Sequence, residues 1–144
     1  MSPCGTHWDP QLEAAFIEGL RALPFVGGIE LPHFTTLDRW DEGFFFRHAD
    51  PGWDYVVSTL PSLSHALRVN PKFGLAATDE ASRQAALEGV RLAHASVRRA
   101  HDRLGRRAVR AIEVHSGPSL GRLDGNASPQ RFTHSLEEIG GWDW

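Results

Sequence analysis

The chain has 144 residues, of which 41% are hydrophobic and 23% charged, the profile of one ordinary globular domain and not of a disordered, collagen-like or fibrous chain. Fifteen basic and 18 acidic side chains leave a formal charge of −3, with no charged tail, so bulk electrostatics do not point to nucleic acid as a partner. No apolar run approaches the ~18 residues of a membrane helix, residues 1–8 (MSPCGTHW) hold no apolar signal segment, and the single Cys4 cannot close an internal disulfide. The expectation is a cytoplasmic protein with no membrane partner.

Residues 1–8 read as a disordered or irregular N-terminus, and residues 9–144 as one α/β unit. Asp9 and Pro10 suit the cap and first position of a helix, and Leu12, Ala15, Phe16, Leu20 and Leu23 supply its apolar stripe up to Pro24. Phe25–Leu31 reads as a short strand closed by Pro32. A short helix around Asp41–His48 precedes the turn Asp50-Pro51-Gly52. Asp54–Thr59 is a second strand, β-branched and ended by Pro61. The connection from Pro61 to Ala77 contains a helical turn at Leu63–Val69, and its length marks it for function.

The clearest helix follows. Thr78 caps it, Asp79 and Glu80 sit at its positive end, and Gly105 stops it. Ala86, Val90, Ala93, Val97, Ala100 and Leu104 recur at helical spacing along one face. Ala108–His115 forms a third strand, Gly117–Ser128 a Gly- and Ser-rich loop, and Ser128-Pro129 opens a last helix carrying Phe132, Leu136 and Ile139. Helices between strands imply parallel pairing through crossovers. The series opens on a helix with no strand before it and stops after a helix, so a larger α/β domain is expected, of which this is a part. The alternative is a complete three-stranded α/β protein.

Alternation along the strands names the candidate site. With Ile29 and Leu31 toward the helices, Glu30 faces the other way. With Ile112 and Val114 toward the helices, Ala111, Glu113 and His115 share the opposite side. A carboxylate and an imidazole two residues apart at a strand end can bind a divalent metal together or act as an acid–base pair, which makes Glu113 and His115 the catalytic candidates. Glu30 and His33 are weaker candidates for contacting substrate, and Glu30, Glu113 and His115 are the candidate metal ligands. The competing reading pairs Glu30 and Glu113 with an arginine such as Arg110 and leaves His115 a satisfied strand-end residue. Arg98, Arg99, Arg103, Arg106, Arg107 and Arg110 cluster near a helix C-terminus, where the dipole alone favours cations. The chain has no dinucleotide or P-loop glycine motif and no G-x-S-x-G elbow.

The runs Gly27-Gly28-Ile29-Glu30-Leu31-Pro32, Pro51-Gly52-Trp53-Asp54-Tyr55-Val56-Val57, Phe73-Gly74-Leu75-Ala76 and Ala111-Ile112-Glu113-Val114-His115-Ser116 together resemble an uncharacterised bacterial family of xylose-isomerase-like TIM barrels. This family is similar to sugar-phosphate isomerases, sugar epimerases and apurinic-site endonucleases. The resemblance implies a partial (β/α) barrel of about three parallel strands and four or more helices, lacking the first strand and the C-terminal half of a fold that needs ~250 residues. It also implies a divalent metal in the intact barrel, held by Glu, Asp and His at strand ends, with none bound tightly by this chain alone. The leading expectation is therefore an N-terminal fragment of a metal-dependent sugar isomerase/epimerase-like barrel, inactive by itself, acting on a sugar or sugar phosphate when whole. The second is a non-catalytic α/β module that associates with itself or with a missing barrel half. The third is a fragment of an endonuclease-like nucleic-acid enzyme.

Overall fold

A computed structural model describes residues 9–33, 42–118 and 125–144. Its elements are α1 (Pro10–Arg21), β1 (Gly28–Pro32), α2 (Glu42–His48), β2 (Asp54–Ser58), α3 (Leu60–Val69), α4 (Glu80–Leu104), β3 (Val109–Glu113) and α5 (Pro129–Gly140). The three strands form one parallel sheet in the order β1-β2-β3. This is the mixed α/β architecture expected from helices alternating with strands. Consecutive strands are neighbours, so each crossover advances the sheet by a single strand.

Local chemistry explains most boundaries. The Asp9 carboxylate accepts the backbone N–H groups of Gln11 and Leu12 and so caps α1. Asp79, not Thr78, caps α4 by accepting the N–H of Ser82 at 2.8 Å, while the Thr78 hydroxyl donates to Gly125 O. Gly105 ends α4 in the left-handed conformation, φ 65°. The Ser128 hydroxyl caps α5. Pro61, expected only to stop a strand, lies in the first turn of α3, where its missing N–H would have had no helical partner. The helical turn expected at Leu63–Val69 is accordingly a helix of 10 residues.

The strands are shorter than their apolar runs. β1 starts at Gly28 and leaves Phe25 80% exposed. β3 ends at Glu113, placing His115 in the segment beyond. The expected stripe on α1 is also displaced: Ile17 is buried and Leu20 packs against the core, while Leu12 and Phe16 are exposed. The helix is rotated from the expected stripe and turns Ile17 and Leu20 to the core, with Ala14 half-buried on the same side.

The helices cover one face of the sheet. Leu31, Tyr55 and Val57 project into a core with Ile17, Phe45, Trp53 and Val97. Leu75, Ala86, Leu87, Val90 and Ile139 form a second core, with Ile112 and Trp144 packed against both. On the other face Glu30, Val56, Ala111 and Glu113 are exposed. At the N-terminal edge of the sheet, Asp54 receives Arg106 Nη1 at 2.7 Å and Arg110 Nε at 2.8 Å. These hydrogen bonds hold its carboxyl below the usual range. Arg106 also bonds the Pro51 and Trp53 carbonyls.

Candidate functional site

The C-terminal edge of the sheet brings three polar side chains together. Parallel register sets Ser58 beside Glu113, and the buried Ser58 hydroxyl donates to Glu113 Oε2 at 2.7 Å. The other carboxylate oxygen, Oε1, lies 3.4 Å from His115 Nε2. That nitrogen is shielded from solvent and has no hydrogen-bond partner. Glu113 is therefore half-exposed and gripped from one side by a hydroxyl, with an imidazole on the other. Two further hydrogen bonds fix the edge: Glu113 O accepts both the backbone N–H and the hydroxyl of Thr59, at 3.2 and 3.0 Å.

A close backbone crossing positions His115. Ser116 O accepts the N–H of Ala76 at 2.8 Å, joining the segment after β3 to the loop after α3. At the crossing Gly74 (φ 154°) and Gly117 (φ 93°) face each other, and a Cβ on either would overlap the other's backbone. The Phe73–Ala76 block is thus a brace for the site.

Among the expected site residues, the structure unites Glu113 and His115 and separates the other two from them. Glu30 is exposed on the same face but lies opposite Val56, in the outer strand and two positions earlier than the Pro32–Ser58–Glu113 row. His33 is 2% exposed and turned to the helix layer. Its Nε2 lies 3.2 Å from Ser96 Oγ, which already donates its proton to Leu92 O, so His33 Nε2 carries the proton and donates. Arg110, the cation that could have paired with Glu113, is engaged by Asp54 at the opposite edge. Arg98 reaches Asp143, and Arg103 lies over the Phe46 ring.

Sequence reasoning missed Ser58. Its signal was present: a small hydroxyl at the end of an apolar strand, two residues after Val56 and so on the face opposite the core. For a divalent ion, Glu113 Oε1 and His115 Nε2 are a fitting donor pair, an anionic oxygen beside a nitrogen with nothing else to bind. Glu30 does not join them, and among the described residues no group of three His, Cys, Asp or Glu side chains can hold a metal ion. Also among the described residues, no helix is long and apolar enough to cross a membrane.

A family model described as a domain of unknown function (DUF4862) matches residues 2–144. An uncharacterised protein of Salmonella typhimurium strain LT2, STM3670, is 28% identical over 145 residues, which cover 99% of this chain and 46% of the relative. The chain therefore spans about half the length of the curated relative it matches. No solved structure is significantly similar to it.

Proposed function

The chain belongs to the DUF4862 family of domains of unknown function, and we propose that it forms part of the wall of a xylose-isomerase-like (β/α) barrel whose strand-end edge acts on a sugar or sugar phosphate as an isomerase or epimerase. The observation that carries this reading is the Ser58–Glu113–His115 group at the C-terminal edge of a parallel sheet, the edge at which barrels of this kind place their chemistry. The one-sided cover of the sheet supports it, since a barrel wall has helices outside and a site-bearing face within.

Isomerisation and epimerisation both require a proton to leave carbon beside a carbonyl and return elsewhere. Glu113 is placed to take that proton: Ser58 fixes one carboxylate oxygen, and the other is left toward the open face. His115 is placed to hold or protonate a substrate oxygen. Alternatively, Glu113 and His115 would hold a divalent metal together with ligands from outside the described residues; the metal would then polarise the substrate carbonyl, and the proton would pass to a base outside the described residues. Among the described residues these two ligands stand alone, and two ligands hold an ion weakly, so metal binding by them is expected to add little stability.

Histidine NMR during titration with Mn2+ tests the reading. Broadening should be selective for the His115 ring among the eight histidines, should saturate only at high metal, and should vanish in Glu113→Gln. Uniform broadening of all histidines, or a His115 signal that stays sharp, would overturn it. A second reading, a module for self-association, is favoured by the exposed Leu12 and Phe16 on α1 and by the uncovered Val56. Its measure is the oligomeric state.

A further inference from the structure

Beside the Glu113–His115 pair lies a cavity of about 50 Å3, walled by Leu63, Phe73, Leu75, Gly89, Val90 and the His115 ring. Its lining is mostly apolar, and the two hydroxyls at its margin are committed: Thr59 Oγ1 donates to Glu113 O and Ser62 Oγ to Thr59 O. A water molecule needs two to four polar partners and finds few here, whereas an apolar cavity of ~150 Å3 takes up benzene. By volume this one suits a group of two or three heavy atoms.

Two independent features point to a ligand. His115 Nε2 is shielded from solvent without a hydrogen bond, and its ring belongs to both the carboxylate pair and the cavity wall. Gly89 lies well inside α4, where glycine is less favourable than alanine. A Cβ there would meet nothing within 4 Å beyond its chain neighbours and its own helix backbone, so packing does not require glycine. Its effect is to leave the wall open.

We propose that this cavity is a subsite for the methyl terminus of a deoxyhexose, whose hydroxyl groups face Glu113 and His115. The proposal rests on the reading of that pair as the polar end of the site, and adds the substrate class.

The test compares L-fucose with L-galactose, which differ only in a methyl against a hydroxymethyl group, by NMR titration of this chain. L-fucose should shift the Leu63, Leu75 and Val90 methyl signals and the His115 ring at about tenfold lower concentration, the discrimination of one small group by an apolar pocket. Gly89→Leu, checked for retained helix by circular dichroism, should remove that preference. Equal titration by the two sugars in the wild type, or no shift of the cavity methyl signals with either, would overturn the proposal even if Gly89→Leu failed to fold. The two readings fail separately. Selective Mn2+ broadening of His115 with indistinguishable sugars removes the cavity proposal alone, whereas loss of both responses removes the site as well.

Discussion

The Ser58 hydroxyl donates to Glu113 Oε2 at 2.7 Å and accepts the Leu60 N–H at 3.5 Å. A hydrogen bond to a charged acceptor contributes about 1.5–3 kcal/mol when water cannot replace it. Here the carboxylate is half-exposed and can recruit water, so Ser58→Ala should destabilise by about 1 kcal/mol, below that scale and in the range of an ordinary hydrogen bond. Urea unfolding with an unchanged slope and a lowered midpoint would show this; an unchanged midpoint would mean that the bond is not formed in solution. The closeness of Glu113 and His115 was legible in the sequence from their spacing, and the two lie 3.4 Å apart although the strand stops at Glu113 and the His115 ring also borders Leu75 and Val90 of the helix-side core. Ser58 was not, because which residue of one strand lies beside which of the next depends on register, and register is set by packing and crossover length. His33 shows the same limit. Its neighbour Pro32 closes the strand, and nothing local tells whether the next side chain turns to the helices or to the open face.

At the scale of elements, the period of the apolar residues found α4 with its face and α5 as a helix, although Leu136 of the expected α5 stripe is 40% exposed and Ser135 is buried beside Ile139 instead. The period did not find what joins the two helices. That junction is Arg83, 4% exposed within the buried face of α4. It bonds Glu80 at 2.7 Å and Ser135 Oγ at 3.1 Å, and lies 3.7 Å from Glu138. A charged residue inside an apolar stripe reads as an interruption until its partners are known, because a buried guanidinium is tolerable only when paired. The hydrogen bond from Arg83, then that from Gln84, holds the Glu80 carboxyl down at about 2, against an ordinary value of 4.5. A carboxyl lowered by folding stabilises the fold when ionised. Its contribution is present above the ordinary value and is lost as pH falls from about 4.5 toward 2. Wild-type urea midpoints should therefore fall across this window more steeply than those of Glu80→Gln, which has no proton to take up. Parallel acid limbs for the two proteins would show that Glu80 is not held by Arg83.

At the scale of the whole molecule, alternation of helix and strand was enough to give a parallel sheet, since parallel neighbours need crossovers. Which α1 row is buried was not recoverable, because Leu12, Phe16, Ile17 and Leu20 make overlapping apolar rows. The row left outside has a consequence. Phe16 is 65% exposed and Leu12 70%, and Val56 on the central strand is 37% exposed on the face without helices. Parallel sheets are normally covered on both faces, and the outer strands β1 and β3 each have an edge with no strand beside it among the described residues. These surfaces should drive association, which sedimentation velocity would show as a weight-average mass rising with concentration. Two variants separate the surfaces. Phe16→Lys touches only the helix row and Val56→Lys only the open sheet face, and neither side chain is in the buried core. If the sheet face is the contact, Val56→Lys restores the monomer and Phe16→Lys does not. The reverse outcome assigns association to α1 and leaves the sheet face to the site. A chain that stays monomeric at every concentration would show that neither surface is a contact, and that the exposed row on α1 is tolerated by a molecule whose remaining apolar side chains suffice to fold it.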